Sequence, residues 1–189
     1  MKDLTGNSNS IFKVLGASSH TENERQENDF YVTDPKAVEM LLELEDFSDM
    51  HIWECACGQG HLSEAMKKAG LRVYSTDLIN RGYVEDVYDF LKAGNTDWKG
   101  HIITNPPYKF ASEFIEKSLS IVHDGCKVAM FLKVQFLEGK ARKKLFEKYH
   151  PKVVYVSSSR ILCAKNGDFK GMIAGGGSAV AYAWYVWEK

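Results

Sequence analysis

The run from His51 to Gly70 limits the fold of this 189-residue chain more than any other stretch. His51-Ile52-Trp53-Glu54 is a compact strand, too short to be a helix. Cys55-Ala56-Cys57-Gly58-Gln59-Gly60 follows without a break, and Leu62, Ala65, Met66 and Ala69 then recur at helical spacing until Gly70 stops them. Strand, glycine loop and helix open a βαβ unit. Leu71–Thr76 is the next strand and ends at Asp77. A short segment, Asp86–Leu91, precedes a buried strand at 101–104. A helix then spans Phe110–Val122, with Phe110, Phe114, Ile115, Leu119 and Val122 on one face. Cys126–Leu132 reads as an apolar strand, 139–149 as a basic helix, Val153–Val156 as a strand, Gly171–Gly177 as a flexible loop and Ala179–Trp187 as the closing strand. Upstream, Val38, Leu41 and Leu42 mark a helix over Lys36–Glu45, with Pro35 in its first turn and Asp34 or Thr33 as its cap. The alternation predicts a three-layer, doubly wound α/β domain on a mostly parallel sheet.

The length suits one domain with a substantial core. Residues 1–28 are too polar to order themselves alone, so they are expected to be a tail or a cover over a ligand, ahead of a single domain at 29–189. No apolar run is long enough to span a bilayer and the polar N-terminus lacks a signal-peptide core, so a membrane role is not expected. Cys55, Cys57, Cys126 and Cys163 lack zinc-like spacing and read as reduced, buried thiols of a cytoplasmic protein. The six histidines form no cluster in the sequence, so no metal site is expected. The net charge of −1 hides an asymmetry: the chain is acidic up to Met50 and basic over Lys127–Lys152, with Lys133, Lys140, Arg142, Lys143, Lys144 and Lys148. A basic segment can meet phosphate, or be a solvated helix face.

Asn105-Pro106-Pro107-Tyr108 ends the 101–104 strand, because neither proline can donate a ladder hydrogen bond. The residue before a proline is pushed out of the helical region, which leaves Asn105 extended at the strand's carboxyl end, where open α/β sheets bind ligands. One amide, rigid backbone carbonyls and one aromatic ring are the parts needed to hold a planar nitrogenous group; a Pro-Pro turn closing a loop is the alternative. The carboxylates add to this. Glu54 and Asp77 end adjacent parallel strands beside the loop through Gly58 and Gly60, and a carboxylate at the second strand's end can accept from ribose hydroxyls. Asp89 could accept from an adenine amino group while Phe90 packs on the base. Converging on one crevice, these groups predict a nucleoside-bearing cofactor.

In order, Glu54…Cys57-Gly58-Gln59-Gly60, Asp77, Asp89-Phe90 and Asn105-Pro106-Pro107-Tyr108 resemble class I S-adenosylmethionine-dependent methyltransferases of the amino-methylating branch. Asn28–Pro35 resembles the cofactor-closing motif of bacterial and phage DNA adenine-N6 methyltransferases, and Phe131–Arg142 with Tyr182–Trp187 resembles small phage-type members. The resemblance implies a Rossmann-like methyltransferase fold with a seven-stranded sheet whose last strand is antiparallel. It implies S-adenosylmethionine as cofactor, bordered by Tyr31, Thr33 and Asn105, with Glu54, Cys55, Ala56, Gly58 and Gly60 at its amino-acid end. Asp77 and Leu78 would meet the ribose, and Asp89 and Phe90 the adenine. Asn105 and the Pro106 carbonyl would accept from the target amine while Tyr108 stacks on a flipped base. The target is expected in DNA, with RNA adenine or a protein glutamine amide as alternatives, and a non-catalytic nucleic-acid-binding subunit as a third. No segment corresponds to a separate target-recognition domain. Reading the target therefore falls to Gly171–Gly177, to the basic helix, or to a specificity partner or second copy. Lys133, Phe136, Lys140, Arg142 and Lys143 are the candidate nucleic-acid contacts, Phe136 as a second stacking residue or else as core.

Overall fold

The computed structural model describes residues 31–92, 94, 96–165, 167, 169–174 and 180–189. The expectations for the 1–28 arm, for Asn28–Phe30 and for Gly175–Gly177 lie outside these residues. Seven strands build one sheet: β2 (His51–Glu54), β3 (Val73–Asp77), β4 (Asp86–Val87), β5 (Gly100–Thr104), β6 (Lys127–Lys133), β7 (Val153–Val156) and β9 (Tyr182–Glu188). Their order is β4-β3-β2-β5-β6-β9-β7. Neighbours from β4 through β6 are parallel, and β9 runs antiparallel to both β6 and β7. The sheet reverses direction of growth at β2, so the crevice between the ends of β2 and β5 is the topological switch point where such sheets bind ligands.

The layers follow from the period of two along each strand. On one face Trp53, Ile102, Met130 and Tyr185 join Phe114 and Ile115 of helix α3 (Ala111–Ile121) and Leu145 of α4 (Lys140–Lys148). On the other, Ile52, Ile103, Phe131 and Trp184 join Leu41 of α1 (Lys36–Leu44) and Leu62 and Met66 of α2 (His61–Lys68). β5 is buried at every position and β6 at all but its ends, as strands covered on both faces must be. At the opposite end of β5, buried His101 accepts from the Lys127 amide at 2.9 Å and donates to Asp49 at 2.8 Å, a structural role.

Three differences from the sequence reading bear on the site. A separate two-stranded sheet pairs β1 (Tyr31–Thr33) with β8 (Cys163–Lys165) antiparallel, Thr33 opposite Cys163. Such short segments carry no period of their own, and a pairing across so long a loop leaves no local signal. The Gly171–Gly177 loop is corrected at its start: α5 (Phe169–Ala174) is helical, since Phe, Lys, Met, Ile and Ala outweigh the single internal glycine. The last strand begins at Tyr182, with Val180 and Ala181 outside it, and the expected start at Ala179 lies outside the described residues. Among the described residues no helix is long and apolar enough to cross a membrane.

Candidate functional site

The glycine loop is held from beneath and from the side. Cys57 N–H donates to the Thr76 carbonyl at 3.0 Å, and Gly58 N–H donates to Asp77 Oδ2 at 2.8 Å, tying the loop to the end of β3. Gly58 and Gly60 sit at positive φ, +57° and +81°, which lets the chain turn into α2. Gly60 has a second constraint, because a Cβ there would lie 2.3 Å from the Tyr83 ring. Tyr83 is fixed in turn by its hydroxyl on Glu64 at 2.6 Å. Gly60→Ala is therefore expected to lower the unfolding temperature, with a left-handed backbone penalty of about 1–2 kcal/mol added to the ring clash. Adding Tyr83→Ala should relieve the clash and leave the backbone penalty, which thermal unfolding of the single and double variants separates.

The loop carboxylates have different environments. Glu54 is sealed under the loop at 1% exposure. It accepts from the Ser63 hydroxyl, and Ser63 shares a 2.7 Å hydrogen bond with Ser75. Burial pushes its carboxyl up to about 8, against the Ser63 hydrogen bond, with repulsion from Asp77 adding to the rise. A neutral buried acid supports the loop from below and offers no face to a ligand. Asp77 stands at the rim. Its Oδ1 accepts from Ile79 N–H at 3.0 Å and from Arg81 Nη1 at 3.1 Å. Leu78 beside it is 54% exposed, an uncovered apolar side chain next to a carboxylate. Asp89 pairs with Lys92 at 3.1 Å, and the Lys92 ammonium and amide hold its carboxyl below the usual range against a burial contribution that raises it. Phe90 belongs to the core, against Trp53 at 5.2 Å and Phe114 at 5.0 Å, with 2% exposure left for any ligand. Cys55 and Cys57 are buried and Ala56 is half-buried. Burial raises both thiols, Cys57 to about 12, so neither is a nucleophile at neutral pH.

The tetrapeptide anchors a second cluster at the same edge of the sheet. Asn105 directly follows β5, and its Nδ2 donates to Thr33 Oγ1 at 2.7 Å. Its Oδ1 is buried without a hydrogen-bond partner. Pro106 is buried. Tyr108 opens a 3₁₀ turn, Tyr108–Phe110, and its hydroxyl donates to Cys163 Sγ at 3.6 Å. The ring stacks on Tyr182 at 5.9 Å, lies 6.1 Å from Tyr31, and carries Lys133 Nζ at 5.0 Å from its centroid. A base stacking there would have to exchange with one of these neighbours. Burial pushes the Tyr108 and Tyr182 phenols upward and Cys163 to about 11, so Tyr108 is surrounded by neutral groups and Lys133.

Cys163, Tyr182, Arg81, Tyr83 and Ser63 were not among the expected site residues. Only Arg81 had a local signal, four residues after Asp77. Of the candidate nucleic-acid contacts, Phe136 takes the core alternative and Arg142 packs over it. Phe136 is 8% exposed and packs on Tyr185 and Phe146, because the 3₁₀ turn Val134–Leu137 folds it back onto the core. Arg142 covers that ring at 4.3 Å and donates to Ser112 at 3.1 Å. Lys140 and Lys143 are exposed on α4, Lys143 3.7 Å from Glu147. The described residues contain no group of three metal-ligating side chains. All four cysteines are free and buried.

The sequence matches no known family profile and no curated protein. Solved structures match the fold. A presumed RNA methyltransferase of Pyrococcus horikoshii superposes with a TM-score of 0.60 at 11% identity, over 97% of this chain and 99% of that one. A presumed class I S-adenosylmethionine-dependent methyltransferase of Listeria monocytogenes gives 0.57 at 14%, over 96% and 67%. A presumed hemolysin of Streptococcus thermophilus gives 0.58 at 16%, over 89% and 70%. The strand order and the antiparallel β9 are those of the Rossmann-like class I methyltransferase fold. At these identities the likeness defines the fold, and the chemistry has to be argued from the site.

Proposed function

We propose that this protein is an S-adenosylmethionine-dependent methyltransferase acting on an exocyclic amine, N6 of adenine in DNA above all. The observation that carries the reading is the Asn105 amide, tied by its nitrogen to Thr33 and left with a buried, unpartnered carbonyl oxygen at the end of β5. A buried acceptor without a donor costs free energy, and a target amine would satisfy it. The fit for the cofactor rests on the glycine loop at the N-terminus of α2, on Asp77 at the end of β3 and on exposed Leu78, which together suit a nucleoside. Ribose hydroxyls would take the place of Arg81 on Asp77.

S-adenosylmethionine, when bound, supplies a methyl group on a sulfonium with a good leaving group. The chain's part is to prepare the amine. An exocyclic amine is a weak nucleophile because its lone pair is delocalised into the ring. Asn105 Oδ1 and the Pro106 carbonyl accept its two hydrogens and favour a pyramidal nitrogen, so they bind the transition state better than the ground state. Tyr108 steadies the base, and the neutral surroundings strengthen both hydrogen bonds. A base in a duplex must be flipped out to reach this crevice. Lys133 beside the aromatic cluster and the exposed lysines of α4 support a polyanionic substrate. A partner or second copy would read the sequence around the target.

The RNA reading draws on the Pyrococcus horikoshii structure, which is matched nearly end to end. Incubation with labelled cofactor and separate DNA and RNA pools, followed by mass analysis of the nucleosides, decides between them. N6-methyladenine in the DNA pool is the expected product. Cofactor binding with no methylated nucleoside in either pool would overturn the nucleic-acid reading.

A further inference from the structure

Thr33 sits where a cofactor contact was expected, yet it is 3% exposed and its hydroxyl oxygen is engaged by Asn105. We infer that Thr33 is the positioning residue that fixes which end of the Asn105 amide faces the substrate, and that the small β1–β8 sheet exists at this edge to deliver it. The inference rests on the reading of Asn105 as the acceptor for the target amine.

An asparagine amide is nearly symmetric in shape, and a half-turn about its last torsion exchanges acceptor for donor. In the wrong orientation the NH₂ group would face an amine that also donates, and the site would lose its acceptor. A partner that acts as acceptor on one end decides the matter, and a threonine hydroxyl does so while its own proton points away from the amide. Thr33 Oγ1 takes the Asn105 nitrogen at 2.7 Å, and that leaves Oδ1 as the free end. Nothing else contacts the amide side chain by hydrogen bond among the described residues.

The position of Thr33 is itself built. It stands opposite Cys163 in the β1–β8 register, and Asp34 N–H donates to the Leu162 carbonyl at 3.0 Å just beyond. Cys163 Sγ lies 4.0 Å from Thr33 Oγ1 and receives the Tyr108 hydroxyl at 3.6 Å. One pair of facing residues on a separate sheet therefore meets both polar side chains of the tetrapeptide. On the far side, α1 begins at Lys36, where Asp34 Oδ1 accepts the Lys36 amide at 3.0 Å and so fixes the exit of β1. A residue held from both directions, buried, and bonded to the amide nitrogen is suited to orient a neighbour, and has little surface to offer a ligand.

The test is Thr33→Val, which keeps the shape and removes the acceptor, with Thr33→Ser restoring the hydroxyl. Turnover of Thr33→Val should fall about 10- to 100-fold, the range for a displaced reacting group. Its cofactor dissociation constant should stay within about twofold of wild type, since a group that only orients Asn105 adds no uniform binding. Thr33→Ser should recover most of the turnover. The second readout needs no activity: in ¹⁵N-labelled wild-type protein one Asn105 Nδ2 proton should be protected from solvent exchange, and Thr33→Val should lose that protection. Wild-type turnover in Thr33→Val, or an unprotected Asn105 amide in the wild type, would overturn the inference. If the amide behaves as stated but the wild type methylates neither pool, the positioning stands and the proposed function fails.

Discussion

Asn105→Ala is expected to lower methyl transfer about 100- to 1000-fold, the usual loss when one preorganised hydrogen-bond partner of a transition state is removed. The reason is the geometry at the end of β5. The amide nitrogen is occupied by Thr33, and its oxygen is the one buried acceptor on this side chain with nothing to bind. The loss should fall on turnover. On the proposed reading Asn105 would hold the amine more strongly as the amine nitrogen becomes pyramidal, so removing it should cost the transition state more than the ground state. Cofactor affinity, measured by calorimetry, should change no more than a few-fold, because the loop through Gly60, Asp77 and Leu78 is left intact. Stability should change little as well. The variant orphans the buried Thr33 hydroxyl, a cost of about 1–3 kcal/mol, but it also removes an acceptor that was already unpaired. Near-normal turnover in Asn105→Ala would mean that the amine is activated by some other group.

The sequence carried the parallel sheet and its edge well, because the signals there are local. His51–Glu54 and Gly100–Thr104 are short apolar runs bounded by turn residues, and their ends place Glu54 and Asn105 at one edge whatever the packing. The chemical meaning of those edges was less legible. Glu54 and Asp77 look alike as strand-end acids, yet two serines and the core bury the first while Arg81 and two backbone amides surround the second. Phe90 and Phe136 show the same limit: an aromatic residue beside a polar one fits a stacking platform or a core equally well, and only the packing of Trp53, Phe114 and Tyr185 decides. The aromatic and thiol wall of the site was hidden for another reason. Thr33, Cys163 and Tyr182 come together through an antiparallel pairing between distant short segments and through β9 inserting beside β6. Such contacts are set by topology, and no window of neighbouring residues records them.

Stability is expected to fall as pH rises from 5 to 8, and Glu54→Gln should abolish most of that fall. The ordinary carboxyl value is 4.5 and burial raises that of Glu54 to about 8. Below 4.5 the acid is protonated in the folded and unfolded chain alike, and its full contribution is present. Between the two values the folded protein keeps a proton that the unfolded chain has released, so each pH unit removes about 1.4 kcal/mol at most. Above 8 both states are ionised and the curve levels off. The whole effect is on the order of several kcal/mol. Other groups act elsewhere or in reverse. Glu45 and Asp49 have lowered values, and their contribution is lost only on acidification below the ordinary carboxylate range. His61 is held low by burial, and so favours the folded state more as pH climbs through the ordinary histidine value. Comparing wild type with Glu54→Gln cancels both. Gln keeps the shape and an acceptor for Ser63, so the two proteins should be close at pH 5 and Glu54→Gln clearly more stable at pH 8 in urea unfolding. Parallel curves would mean that Glu54 is ionised when folded. The sign also bears on the loop, because an anion at Glu54 would sit beside Asp77, and the neutral acid spares the end of β3 that repulsion.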